Sequence, residues 1–354
     1  MPIAFLPRYD RLGASSRLRF FMYFDSYIKS GGKAVIKPGL SDEYLQQLYR
    51  AGRVGALRKL MEFARMLRRA AMLPEKLLIE YELVPELAYK YEKKLLGVRQ
   101  YILNFDDNVW EKYQNKPALA DKYDSLCRNA AGVIVANEFL RGKVSALNNN
   151  VIEIPTVVDL DQYSGSAEKY SCFTAAWIGT PVTYKYLESH LAALQLMFNS
   201  ESRQLLVIAD KHLQTIRPLP GVNVRYVDWS QESEAEYLKK CHVGIMPLDD
   251  DDFSRGKSAY KLLQYQAAGL PLLASPVGEN CRVVSDGRNG FLAGSPQEWQ
   301  DKLDLLCRNQ AIYESCSANA RNKAYDYSFQ KYFPIFKEFV DKTFDLPEGG
   351  SYAV

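Results

Sequence analysis

A chain of 354 residues with 47% hydrophobic and 25% charged content has the make-up of a soluble globular protein, long enough for two domains that each bury a core. It has no apolar run near the roughly 20 residues a membrane span needs and no opening secretory signal. Its six cysteines (Cys127, Cys172, Cys241, Cys281, Cys307 and Cys316) lack CxxC spacing. That pattern argues against zinc and disulfide frameworks and for the reducing cytoplasm, and three histidines are too few for a histidine metal cluster. The net charge of +3 is uneven, because residues 1–110 hold 19 Lys and Arg against 12 Asp and Glu. A basic N-terminal part suggests one surface that meets an anion.

Ile3–Leu6 reads as the first strand. The loop after it carries Gly13, Ser15 and Ser16, with Arg17 on the first turn of the next helix. A glycine and two hydroxyls at a strand-to-helix turn suit either a ligand edge or a plain helix cap.

Residues 44–73 are the most helical-looking segment of the first half. Leu57, Leu60, Ala64, Leu67 and Ala71 form one apolar stripe, and Arg58, Arg65 and Arg69 gather on a neighbouring face. Arg50, Arg53, Lys59 and Arg68 add charge that only Glu62 opposes. Such a helix either packs on a core with its arginines in water or lies on anionic lipid through residues 50–69. Nucleic acid is not expected, since no aromatic–basic interleaving accompanies the charge.

Lys76–Glu82 and Arg99–Phe105 are the next strand candidates. The second ends in Asp106-Asp107-Asn108, at the strand edge where parallel sheets bind ligands. Gly132–Ala136 follows, and Asn137 then caps a helix beside Glu138. Val151–Ile154 ends at Pro155, and a polar run follows it. The boundary is placed there, giving domains 1–163 and 164–328.

Phe173–Ile178 opens the second set, with Gly179 and Thr180 in its first loop and Lys185 a few residues on. Leu205–Ala209 and Val222–Val227 are further strands, and Trp229 and Ser230 follow the latter. Val243–Leu248 reads as a buried strand, Ser258–Ala268 as a helix, Gly269 as its C-cap and Leu272–Ala274 as another strand. Lys257, Lys261 and Gln264, spaced four and three apart, fall on one face of that helix. Two lysines, free helix amides and a side-chain amide suit a ligand with phosphates followed by a hydroxylated ring. The acids at 249–252 match no defined metal loop, so no metal is expected. Gly278, Glu279 and Asn280 offer backbone amides after the last strand, and Phe329–Phe344 reads as a terminal helix.

The run GKSAYKLLQYQAAGLPLLASPVGEN at 256–280 resembles the nucleotide-sugar segment of the family 4, retaining, GT-B glycosyltransferases. WIGTPVTYKYL, CHVGIMPL and DGRNGFLA extend the likeness in the family's order. LGASSRLRF, NFDDNVW, AGVIVANEFL and IPTVVDLDQY are similar to a branch that builds surface polysaccharides. The resemblance implies an α/β GT-B fold: two Rossmann-like domains facing across a cleft, acceptor on 1–163, donor on 164–328, and a terminal helix, 329–354, returning to the first domain. It implies a cytoplasmic enzyme, peripheral to the inner face of the plasma membrane, that moves sugar from a UDP- or GDP-sugar to a glycan or lipid-linked hydroxyl, with no cofactor or metal.

By the same resemblance Gly179, Thr180 and Lys185 contact the donor diphosphate, Trp229 and Ser230 line the base, and Gly278–Asn280 cradle sugar and phosphate. Gly13, Ser15, Ser16, Arg17, Asp106 and Glu138 face the acceptor, with Asp107 joining Lys257 and Lys261 as catalytic. One departure stands out: the family's paired glutamates fall at Gly256 and Gln264. The absent carboxylate keeps open a nucleotide- or glycan-binding regulator, and a sugar-nucleotide epimerase on the same architecture is a third reading.

Overall fold

The computed structural model describes residues 2–210 and 217–346. The chain forms two compact units: Met1–Thr156 with Gly256–Ser258 and Tyr332–Val354, and Val157–Arg255 with Ala259–Lys331. The first run thus ends at Thr156, short of the boundary expected at 163.

The first unit is built on a six-stranded sheet in the order β2-β1-β3-β4-β5-β6. Its strands are β1 (Ile3–Leu6), β2 (Ala34–Ile36), β3 (Lys76–Glu80), β4 (Gln100–Phe105), β5 (Gly132–Val135) and β6 (Val151–Glu153). All pairs are parallel, so both faces need covering, and continuous apolar runs such as Leu77–Ile79 supply them. Ala4, Leu6, Leu77, Ile79 and Leu103 join one core. Phe5 points to the other face and meets Phe20, Phe24, Tyr27 and Phe336.

Phe336 comes from the far end of the chain. The Phe329–Thr343 helix places it 4.5 Å from the Tyr23 ring. Further on, Asp341 accepts from Tyr27 Oη at 2.7 Å and the Phe344 carbonyl accepts from Lys76. The part of the expected terminal helix at 347–354 lies outside the described residues.

The second unit is the six-stranded parallel sheet β12-β11-β10-β7-β8-β9. Its strands are β7 (Phe173–Ile178), β8 (Arg203–Ala209), β9 (Val224–Asp228), β10 (Val243–Met246), β11 (Leu272–Ala274) and β12 (Gly290–Leu292). The expected α/β class is what the structure has. Two edge strands, β2 and β12, have no counterpart among the expected elements. Each is three residues long and carries too little pattern to separate from loop.

Residues 44–73 differ more from expectation. They form two helices, Asp42–Ala51 and Ala56–Ala71, because Gly52 takes a left-handed φ of 65° and ends the first. The apolar stripe on the second helix exists but turns outward: Leu57 is 72% exposed and Leu60 65%. Glu62, Met66 and Ala70 are buried instead. The arginine face is not left to water alone. Arg65 donates to the Gly39 carbonyl and pairs with Glu62, while Arg69 donates to the carbonyls of Lys37 and Leu83. Glu62 accepts from Ser41, the cap of the preceding helix. Backbone carbonyls left open by the 37–41 loop need donors, and the guanidinium groups meet that need better than leucines can.

No helix among the described residues is long and apolar enough to cross a membrane. The inverted helix gives a direct test by urea unfolding. Met66→Ala should cost about 2–4 kcal/mol, whereas Leu57→Ala should stay within about 0.5 kcal/mol of the parent. The reverse ranking would restore the stripe to the core.

Candidate functional site

Parallel sheets bring every strand's carboxyl end to one edge, and a crevice opens where chain order reverses. In the second unit this point lies between β7 and β10. Gly179 and Thr180 leave β7 there. A Cβ on Gly179 would sit 2.5 Å from the Trp177 ring, so only glycine lets the loop pass this close. Lys261 lies over the same indole at 5.5 Å. Trp177 thus brings together Gly179 and Lys261, 82 residues apart in sequence. Lys185 packs near the rings of Tyr186 and Phe253.

A short helix, Asp252–Arg255, follows β10, and the helix bearing Lys261 starts at Tyr260 rather than Ser258, since Ala259 takes a left-handed φ of 52°. Lys257 therefore precedes the helix, and the four-residue spacing no longer puts it on a helical face with Lys261. Such a backbone strains a non-glycine residue by about 1–3 kcal/mol and collects at ligand sites. Gln264 is buried and donates to Tyr163 Oη at 3.2 Å.

After β11, Ser275 Oγ accepts from the Leu248 amide, and the Asn280 amide group donates to the Ser275 carbonyl. Gly278 takes a left-handed φ of 53°, and a Cβ there would meet the Arg255 carbonyl at 2.6 Å. Glu279 is buried and pairs with Arg282. His190, which the sequence reading passed over, stands in this group. Its Nε2 lies 3.4 Å from Ser275 Oγ and its Nδ1 3.9 Å from Asp249. Burial holds its pKa below the ordinary value against the pull of Asp249.

The other acids of that loop have protein partners: Asp250 and Asp252 pair with Arg255, and Asp251 accepts from the Ser254 amide. Among the described residues no group of three or more His, Cys, Asp or Glu is arranged to hold a metal ion. Trp229 lies at the end of edge strand β9, its indole N–H donating to Glu234 at 2.6 Å and its ring against the core. Ser230 bonds within its own turn to Ser233.

The first unit reverses between β1 and β3. Ser16 is wholly buried there: it accepts from the Tyr9 amide and donates to Glu80 at 2.6 Å, so it holds the loop rather than offering a free hydroxyl. Arg17 reaches the Arg11 carbonyl, and a Cβ on Gly13 would strike Tyr9. Ser15 is half-buried and Glu138 exposed. Asp106 is buried and accepts from Tyr81, while Asp107 is half-buried beside it. Asn137 caps its helix as expected, accepting from the Leu140 amide. Gly256, grouped with this unit, approaches so closely that a Cβ would lie 2.5 Å from that of Asn108. No side chain longer than hydrogen fits without movement.

The largest feature missed in sequence is the buried charge behind β3. Tyr81 has a φ of 62°, which is strained for a bulky residue, and it stands between two buried glutamates, Glu80 and Glu82. Glu82 accepts from Lys122 at 2.6 Å and also pairs with Arg8; burial pushes its pKa up, but Lys122, Arg8 and Lys112 together hold it below the ordinary value. Glu80 has no such cation in contact, and burial with nearby Asp106 raises it to about 7. The continuous apolar run of β3 gives no sign of either glutamate's burial. The Glu-Tyr-Glu run after an apolar strand is the one available signal.

Residues 172–309 match the family model described as glycosyl transferases group 1. A D-inositol 3-phosphate glycosyltransferase of Nocardioides sp. is 30% identical over 113 residues, 31% of this chain and 24% of the relative. A second, from Paenarthrobacter aurescens, is 29% identical over 99 residues, 27% of this chain and 23% of the relative. The chain therefore spans about a quarter of the length of these curated relatives. Among solved structures, Anabaena HepE in complex with UDP and glucose aligns with a TM-score of 0.69 at 13% identity, covering 97% of this chain and 100% of its own. Sucrose-phosphate synthase from Thermosynechococcus elongatus aligns at 0.72 and 13% identity, covering 98% and 99%. The chain has the GT-B fold. Its matched segment contains β7 to β12, and with them the β7/β10 crevice.

Glu80 supplies a pH test. Its folded pKa of about 7 exceeds the ordinary 4.5, so its share of stability is full below about 4.5 and lost as pH rises through 7. His190 and His242, both lowered, act with opposite sign near the same window. The difference in Tm between Glu80→Gln and the parent isolates the glutamate: it should move in the variant's favour from pH 5 to 8, then level. A pH-independent difference would mean that Glu80 titrates normally.

Proposed function

We propose that this chain is a retaining glycosyltransferase of the family 4 kind, moving sugar from a UDP- or GDP-sugar to a hydroxyl of a glycan or lipid-linked acceptor. Its setting in this reading is cell-surface polysaccharide synthesis in the cytoplasm. The observation that carries the proposal is a coincidence of place. The glycosyl transferase match falls on the unit that has Gly179 and Lys261 together on Trp177 at the β7/β10 reversal and the Gly278 turn after β11. The binding of UDP by HepE supports a nucleoside diphosphate as donor.

In this reading, Lys261 meets the diphosphate as charge develops on the departing oxygen. Lys185 and Lys257 add to the field, and the amides after Ala259 and around Gly278 complete the cradle. Fixed charges of this kind usually supply the largest part of such catalysis. The phosphate oxygen that leaves takes the acceptor's proton, so no separate carboxylate base is required. Gly179 and Thr180 let the phosphates approach the backbone, Glu279 and Asn280 line the sugar side, and Gln264 holds its helix to Tyr163 at the ribose end. Trp229 and Ser230 border the base from β9. Asp107, Asp106 and Glu138 are assigned to the acceptor on the first unit, with the Gly13–Arg17 loop beside them. The reaction as proposed uses no metal.

Thermal shift with UDP, UDP-glucose, GDP and GDP-mannose tests the donor site. At least one should raise the Tm of the parent. Lys261→Ala should weaken that ligand about tenfold or more, near 1.4 kcal/mol, with the ligand-free melting curve unchanged. No shift with any nucleotide would remove the donor assignment. Binding without sugar release, in the presence of acceptor extract, would favour the regulator reading that Gly256 keeps open.

A further inference from the structure

His190 joins three segments at the carboxyl edge of the second sheet. It closes the short helix Lys185–Ser189 that follows the Gly179 loop, and it reaches Asp249 after β10 and Ser275 directly after β11. The ring is half-buried, with Trp299 packed edge-on against it. Its hydrogen bonds decide which nitrogen carries the proton. Nδ1 stands 3.0 Å from the Tyr186 carbonyl, and a carbonyl only accepts, so Nδ1 is the protonated nitrogen. Ser189 donates to the same carbonyl, leaving its oxygen, 3.1 Å from Nδ1, to share the ring proton. In the neutral ring Nε2 is then an acceptor, and Ser275 Oγ lies 3.4 Å from it. That oxygen already accepts from the Leu248 amide at 2.9 Å, so its own proton is the one Nε2 receives.

Ser275 is a buried junction. Its amide donates to the Met246 carbonyl at the end of β10, and its carbonyl accepts from the Val277 amide and the Asn280 side chain. With the Leu248 bond, one residue ties the exit of β10 to the turn that carries Gly278, Glu279 and Asn280. Asp249 is the charged group that faces the imidazole, its Oδ1 3.9 Å from Nδ1. Of the other acids on elements packed there, Glu188 pairs with Arg217, and Glu298, beside Trp299, accepts from the Gly294 and Ser295 amides. A proton added at Nε2 would turn that nitrogen from acceptor to donor, and the Ser275 hydroxyl proton would have to leave the contact.

We propose that neutral His190 is a positioning residue of the donor site: by receiving the Ser275 hydroxyl proton it sets the Gly278–Asn280 turn for the sugar-phosphate end of a nucleotide sugar. This role rests on the donor reading. His190 acts through Ser275 and is not itself assigned a contact with the ligand.

Calorimetric titration of the full chain with UDP-glucose and GDP-mannose from pH 8 to pH 5 tests the role. Both diphosphates are esterified at each end and lack the second phosphate ionisation that UDP itself has at about pH 6. The parent should bind evenly from pH 8 to 7 and lose about tenfold in affinity toward pH 5. His190→Ala and Ser275→Ala should each weaken binding about tenfold at pH 8, and the double variant little more, because the two act as one unit. His190→Gln puts a side-chain oxygen near the place of Nε2 with no proton to gain, so it should match the parent at pH 8 and keep its affinity at pH 5. The difference between parent and His190→Gln cancels other titrations, those of Glu80 and His242 among them. Equal pH dependence in these two proteins, or undiminished affinity in His190→Ala, overturns the role and leaves the donor reading standing. So does affinity that rises with acid in the parent alone, which would put a charged imidazole against the phosphates themselves. If neither nucleotide sugar binds the parent at any pH, the donor reading fails and this role fails with it.

Discussion

Everything chemical in this molecule follows from strand direction. With all pairs in both sheets parallel, strand carboxyl ends share an edge, and connections must cross over the faces. Each sheet reverses order once between neighbours, at β1/β3 and at β7/β10. A strained non-glycine residue stands near each reversal: Tyr81 just past β3 and Ala259 ahead of the helix that bears Lys261. Packing that holds such residues in place lies around them, with Tyr81 bonded to Asp106 and Lys261 laid over Trp177.

The two reversals are furnished differently. The second unit offers glycines, backbone turns and lysines, the equipment for an anion. The first offers buried carboxylates, one held ionised by Lys122 and Arg8 and one, Glu80, bonded to Ser16 and the Arg8 amide but raised by burial and Asp106. A buried acid against another acid favours its proton, whereas an acid against cations favours its charge. The glutamates on either side of Tyr81 therefore part in behaviour because their surroundings differ.

Much of the fold was legible in sequence because central parallel strands are continuous apolar runs; Ile3–Leu6, Phe173–Ile178 and Leu272–Ala274 have the expected limits. Among the three-residue edge strands β6 was legible within Val151–Ile154, whereas β2 and β12 escaped, having little apolar pattern to mark them. Periodicity located the stripe on the Ala56–Ala71 helix but could not say which way it faced. That was decided by the open carbonyls of residues 37–41, which recruit arginine. Spacing likewise put Lys257 on a helix that the left-handed Ala259 starts later. Motif residues with glycine were the best read, since a close approach such as Gly179 on Trp177 admits nothing else. Contacts between distant segments, such as Ser16 with Glu80, had no local signature.

The terminal helix has a bearing on biosynthesis. Phe336, Val340 and Phe344 are core residues of the first unit, yet they emerge from the ribosome after the second unit. The opening sheet must wait, one face uncovered, while the whole second unit is translated. The unit begun before the other is thus completed only after it, and a nascent chain released ahead of Phe336 would lack the cover over Phe5 and Tyr23.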